Sequence, residues 1–177
     1  MKTTNILISG FGGQGVLFTG KFLAYAGMLQ NLEVTWLPSY GPEMRGGTAS
    51  CSVIVSDTPI GSPLVPHPDI LIAMNLPSLD KFENDVVPGG MIFYDSSLID
   101  REVKRSDVKA FGIPATKKAN DEGFATMANM IVLGKLLKES GLFPADAIDY
   151  TISKLVPPKK QNLVELNKKA IAMGFEF

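Results

Sequence analysis

Apolar and polar positions along this chain switch between two periods, and the switches mark out its elements. The run Ile6-Leu7-Ile8 within Asn5–Ser9 reads as a short buried strand. From Val16 to Gln30 apolar residues fall at 16, 17, 18, 22, 23, 26 and 29, which is helical spacing. Glu33–Leu37 is rich in β-branched and aromatic residues, and Thr48–Ser56 follows it as a third strand. Asp69–Met74 is almost continuously apolar, as a strand covered on both faces would be. Pro77–Phe82 predicts a short helix with proline in its first turn, and Met91–Tyr94 and Val108–Ile113 predict two more strands. Beyond Pro114 the pattern is helical. Pro114–Asn120 is a short piece, and Phe124–Glu139 is apolar on most sides and stops at Gly141. Pro144–Leu155 is a further helix, broken by Pro157-Pro158. Lys159–Met173 is a final amphipathic helix, expected to be exposed or docked on a partner.

Strand, glycine-rich turn, helix and strand in immediate succession make a βαβ unit. Such a unit predicts parallel pairing of the first two strands and a right-handed crossover. The chain shows no internal repeat, no low-complexity stretch and no dividing linker. Residues 1–177 therefore read as a single α/β domain, Rossmann-like, with a mostly parallel sheet and a helical C-terminal part.

Composition excludes several classes of function. A net charge of −1 gives no support to a nucleic-acid partner. No apolar run reaches the ~18 residues of a membrane span. The N-terminus leads into a strand without a signal-peptide pattern, so a cytoplasmic protein is expected. With one cysteine and one histidine the chain cannot form an intrachain disulfide. It also cannot hold a cysteine-ligated iron–sulfur cluster by itself, which takes about four thiolates, and the same count argues against a zinc site. Cys51, inside a strand, reads as a small core residue. His67, between Pro66 and Pro68, reads as a loop residue.

Candidate chemistry gathers in two stretches. The first is Gly10-Phe-Gly12-Gly13-Gln14-Gly15, between strand and helix. Four glycines so close together predict a tight turn whose backbone N–H groups, at the positive end of a helix dipole, suit an anion. The spacing fits the dinucleotide fingerprint, but the second strand ends Trp36-Leu37-Pro38-Ser39, without the acidic residue that would hold a ribose hydroxyl. This disfavours NAD and leaves open a turn that only lets helix and strand pack closely. Gly15–Lys21 also has P-loop spacing, yet Phe22 stands where a serine or threonine would bind magnesium. Lys21 leans back toward the turn by helical geometry and either approaches an anion there or is simply solvated.

The second stretch is Pro38–Gly47, a stiff loop with Tyr40, Glu43 and Arg45 between its prolines and glycines. It is expected beside the glycine turn, at the edge where open α/β sheets bind ligands. Glu43 and Arg45 pairing with each other on the surface is the plainer alternative. No Ser-His-Asp set, paired carboxylates or metal cluster is legible, and Asp69, Asp80, Asp95 and Asp100 are spaced like caps. A ligand-type turn without catalytic apparatus suggests one component of a larger enzyme.

Two stretches together, Gly10–Val16 and Trp36–Ala49, resemble the gamma subunit of the 2-oxoacid:ferredoxin oxidoreductases. Pro68–Leu79, Pro88-Gly-Gly90, Ser96-Ser-Leu98 and Met127-Ala-Asn-Met130 fit the same family in order. The resemblance implies a non-catalytic subunit that helps assemble the complex and helps form a coenzyme A site. It places thiamine diphosphate on alpha and beta subunits, and iron–sulfur clusters on beta or a delta subunit, with ferredoxin reached through the complex. By motif position it puts a lysine near the coenzyme at Lys21. The candidate binding residues are then Gly10, Gly12, Gly13, Gln14, Gly15, Lys21, Ser39, Tyr40 and Arg45. The second loop looks closer to enzymes for 2-oxoglutarate or branched-chain 2-oxoacids than to those for pyruvate. A small NAD(P)-dependent oxidoreductase and a stand-alone anion-binding module are the alternatives.

Overall fold

The computed structural model describes residues 3–40 and 48–177. Its sheet is built from β1 (Thr4–Phe11), β2 (Glu33–Tyr40), β3 (Thr48–Ser56), β4 (Ile70–Ala73), β5 (Met91–Asp95) and β6 (Lys109–Ile113), in the spatial order β2-β3-β1-β4-β5-β6. The helices are α1 (Val16–Leu29), α2 (Leu76–Phe82), α3 (Ala115–Asp121), α4 (Ala128–Ser140), α5 (Ala145–Leu155) and α6 (Asn162–Glu176). The α/β class and the mostly parallel sheet agree with expectation.

The pairing at one end of the sheet does not. β1 and β2 point the same way, but β3 lies between them and pairs antiparallel with both. The cause is the short connection between β2 and β3: a chain that turns back so soon can only form a hairpin. β3 then takes the place beside β1 that the βαβ reading gave to β2. On the other side β1, β4, β5 and β6 pair in parallel. β2 is thus an edge strand and extends to Tyr40, running through Pro38, a residue that sheets tolerate at an edge.

Each face of the sheet is covered, which is why β1 and β4 read as unbroken apolar runs. Ile6, Ile8, Val53, Val55, Ile72 and Phe93 belong to the larger core with Phe22, Leu23, Ile131 and Leu133 of α1 and α4. Leu7, Leu71, Ile92 and Tyr94 form a smaller core with Leu79, Val86 and Ile99. A buried Glu83 below this second core takes both arms of the Arg101 guanidinium, at 2.8 and 3.1 Å. Those hydrogen bonds raise the Arg101 pKa above its ordinary value.

The final helix was expected to be exposed or docked on a partner, but α6 packs within the chain. Gly174 of α6 meets Gly134 of α4 backbone to backbone, and a Cβ on either would strike a main-chain carbonyl of the other helix, Ile131 or Ile171. Its buried residues Val164, Ala170, Ile171 and Met173 join the larger core. The amphipathic pattern marks a buried stripe equally well for either destination, so it could not choose between them. Among the described residues no helix is long and apolar enough to cross a membrane.

Candidate functional site

The expected turn begins later than its glycines suggest. Gly10 is still in β1, paired with Ala49, and the chain reverses over Phe11–Gln14, where Gln14 N–H donates to the Phe11 carbonyl at 3.1 Å. The Gln14 side chain then closes the turn. Its Oε1 accepts from Phe11 N–H at 2.6 Å and its Nε2 donates to the Met74 carbonyl, beyond the end of β4, at 2.9 Å. Gly13 and Gly15 take φ of 96° and 75°, backbone that side chains rarely adopt. Gly15 is also the N-cap of α1, and a Cβ there would collide with the Asn129 amide.

Among the described residues no side chain caps α1, and its first turn holds no acidic residue. The leading N–H groups of the helix therefore lack the usual side-chain acceptor, which makes this end receptive to an anion. The turn is braced from behind instead. Thr19 Oγ1 donates to the Gly15 carbonyl at 3.2 Å, while Asn129 Nδ2 donates to that carbonyl at 3.3 Å and to Thr19 Oγ1 at 3.1 Å.

Three cavities of about 190, 230 and 250 Å3 open around this turn. They share walls: Gly15 and Phe18 line the first two, Gly13 the second and third, and Thr126 and Asn129 the first and third. They amount to one groove that wraps the start of α1. Its far wall includes Met74, Leu98 and Thr116. Thr116 is pinned by the fully buried Asp95, which accepts from Thr116 N–H at 3.1 Å and from its hydroxyl, and from Ser97 N–H at 3.0 Å. Among the described residues no charged side chain lines the groove.

The sequence candidates are brought together in part. Gly12, Gly13, Gln14 and Gly15 form the turn, with Gly10 at its foot. Ser39 lies at the same edge of the sheet, in the row Ser39–Ser50–Ser9, two strand spacings or about 10 Å from β1. So the second loop does leave the sheet beside the turn, as expected, although by way of a hairpin. Lys21 is exposed and stands six residues past Gly15, about 9 Å along the helix axis. It follows Leu17, a groove residue, by one turn and so shares its face of α1. Arg45 and Glu43 lie outside the described residues, as does the side chain of Tyr40. Asn129, Thr116 and Asn167 were not anticipated as site residues. The signal for Asn129 was present: an amide in the middle of the apolar stretch Phe124–Glu139.

Cys51 and His67 behave as the plainer readings had it. His67 is exposed in its loop. Cys51 is buried behind α1, its thiol directed at the Val16 carbonyl at 3.7 Å, and burial raises its pKa to about 12. The topology also bears on NAD. In dinucleotide folds the ribose-holding acid ends a parallel strand next to the first. Here one neighbour of β1, β3, is antiparallel and begins with Thr48 at that edge, and the parallel neighbour, β4, runs into Met74-Asn75 without an acid.

The chain matches the pyruvate ferredoxin/flavodoxin oxidoreductase family over residues 5–177. It is 39% identical to ketoisovalerate oxidoreductase subunit VorA of Methanothermobacter marburgensis, across 99% of this chain but only 37% of that protein. It thus spans little more than a third of this relative's length. It is 34% identical to 2-oxoglutarate synthase subunit KorC of Methanocaldococcus jannaschii, covering 97% of this chain and 91% of KorC. Among solved structures, the gamma subunit of a keto/oxoacid ferredoxin oxidoreductase from Geobacter sulfurreducens superposes with a TM-score of 0.82 at 31% identity, covering 98% of this chain and 96% of that one. The 2-oxoglutarate:ferredoxin oxidoreductase of Magnetococcus marinus, solved with 2-oxoglutarate, coenzyme A and succinyl-CoA bound, shares the fold with a TM-score of 0.87 at 24% identity. That match covers 98% of this chain and 30% of the other.

Proposed function

We infer the function from one premise: the chain belongs to the pyruvate ferredoxin/flavodoxin oxidoreductase family. On that premise it is the gamma-type component of a 2-oxoacid:ferredoxin oxidoreductase, working in the cytoplasm with alpha and beta partners and, in some arrangements, a delta partner. The complete enzyme decarboxylates a 2-oxoacid, passes two electrons to ferredoxin and releases an acyl-CoA. Relatives named for 2-oxoglutarate and for ketoisovalerate both support a 2-oxoacid substrate. A chain with a single cysteine needs partners, beta or a delta subunit, to carry iron–sulfur clusters, and thiamine diphosphate belongs on the alpha and beta partners.

This chain's own contribution is a binding wall for coenzyme A. The observation that carries the reading is the uncapped N-terminus of α1 opening into a groove around Gly12–Gly15. The N–H groups of Leu17 and Phe18 are placed to receive phosphate oxygens, and the apolar lining excludes water from the rest of the ligand. The groove lacks a cation among the described residues. Lys21 and Arg45 on this chain, or a partner's side chains, must then balance the coenzyme's charge. Such a site is complete only after assembly.

Native purification followed by hydrogen exchange tests this. The chain is expected to elute with subunits bearing thiamine diphosphate and iron–sulfur clusters, and coenzyme A should slow exchange at residues 10–19 and 125–130 of the assembled enzyme. A chain that elutes alone overturns the subunit role. An assembled enzyme without protection in those segments overturns the coenzyme site.

A further inference from the structure

Two asparagines on the groove wall have their amide nitrogens bonded and their amide oxygens unused. Asn129 is 5% exposed and Asn167 3%. Asn129 Nδ2 donates to the Gly15 carbonyl, and Asn167 Nδ2 donates to the Leu163 carbonyl at 2.6 Å. A main-chain carbonyl only accepts, so the orientation of both amides is fixed: nitrogen toward the backbone, oxygen away from it. Neither Oδ1 has a hydrogen-bond partner among the described residues, yet neither is sealed from solvent. Both residues line the same cavity, the one shared by Gly15, Phe18, Met127, Met130 and Leu163. They come from different helices, α4 and α6, so their convergence depends on the tight Gly134–Gly174 crossing.

This part of the groove is poorly suited to phosphate. Among the described residues it has no charged lining, and two amide oxygens would repel an anion. It fits a neutral, slender group that offers hydrogen-bond donors between apolar walls. Coenzyme A contains such a group, since its pantetheine arm carries two amide N–H donors on a thin, mostly aliphatic chain. We propose that Asn129 and Asn167 are specificity-determining residues that receive the two amide N–H groups of the pantetheine arm, while the phosphates sit toward the first turn of α1. This rests on the coenzyme A reading above and extends it from the presence of a site to the direction in which the ligand lies.

The test uses the assembled enzyme and calorimetric titration with two probes. One is coenzyme A, and the other is its nucleotide fragment, which keeps the phosphates and adenosine but lacks the arm. Asn129→Ala and Asn167→Ala should each weaken coenzyme A by about tenfold, the scale of one lost hydrogen bond, and leave the fragment within about twofold. Thr19→Ala removes bracing from the same turn but keeps both Oδ1 atoms, so any loss it causes should fall equally on coenzyme A and on the fragment. Equal losses for both probes in the asparagine variants overturn the proposal, as does a Thr19→Ala enzyme that loses affinity for coenzyme A but not for the fragment. Asn167→Ala, which does not touch the turn, carries the test if Asn129→Ala impairs assembly. Protection of residues 10–19 in the wild type, with unchanged affinities in both asparagine variants, sinks the asparagine roles but not the coenzyme site. No protection in the wild type sinks the site itself.

Discussion

The amide of Gln14 donates to the carbonyl of Met74 at 2.9 Å, so the glycine turn is tied to the end of a strand sixty residues away. Its other end accepts from Phe11 N–H at 2.6 Å and fixes the turn internally. Gln14→Ala removes both bonds. Each such bond contributes about 1 kcal/mol net, so a loss of about 1–2 kcal/mol in unfolding free energy is expected. The KM for coenzyme A in the assembled enzyme should rise several-fold, because the first turn of α1 is no longer held against β4. Denaturant unfolding and steady-state kinetics check the two effects separately.

Lys21 makes a cleaner electrostatic test than any groove residue. It is exposed, and it makes no ion pair among the described residues. Lys21→Ala should leave thermal stability and subunit assembly unchanged and raise the KM for coenzyme A. Lys21→Arg should restore most of the affinity. Kinetics identical to wild type would remove Lys21 from the site.

Glu83 is the buried partner in a bidentate pair with Arg101, and Arg101 also reaches the exposed Asp80. Glu83→Ala leaves the guanidinium with Asp80 and the Glu102 carbonyl as its acceptors. Breaking a buried pair from one side costs several kcal/mol, and the remaining Asp80 contact reduces this to about 2–3 kcal/mol. Equilibrium unfolding measures the loss. The coenzyme A KM should not change, since the pair lies under the smaller core.

Cys51 supplies a pH prediction. Burial holds its thiol near a pKa of about 12, against an ordinary value of 9.0 in the unfolded chain. A raised pKa means that the folded state favours the neutral thiol. This contribution to stability is whole below pH 9 and is lost as pH rises from there through the folded value. Native protein at pH 8 should therefore resist iodoacetamide, while the same protein in denaturant should alkylate readily; mass spectrometry reads both. Rapid labelling of the folded chain would show that the thiol is accessible.

Much of the architecture was legible because it depends on local rules. The helical spacing of Val16–Gln30 and the stop at Gly141 follow from near-neighbour geometry, and both match the structure to within a residue. The place of β3 was not legible. Its apolar alternation suits any interior strand, and only the shortness of the loop before it argued for a hairpin. The glycine turn itself was legible from its own residues. The opposite wall was not, since Asn129, Asn167 and Thr116 reach it through helix packing and through the hold of Asp95 on α3. For α6 the decisive residues were Gly134 and Gly174, each unremarkable alone and informative only as a facing pair.

The course of β2 through Pro38 also bears on how the chain behaves on its own. An edge strand of eight residues, with Trp36 and Leu37 partly exposed, is a natural template for another strand to add to. Pro38, third from the end of the strand, has no N–H to offer, which suits an edge position and weakens any ladder built there. The same residue that stiffens the approach to the second loop thus works against edge-to-edge stacking of the chain into aggregates.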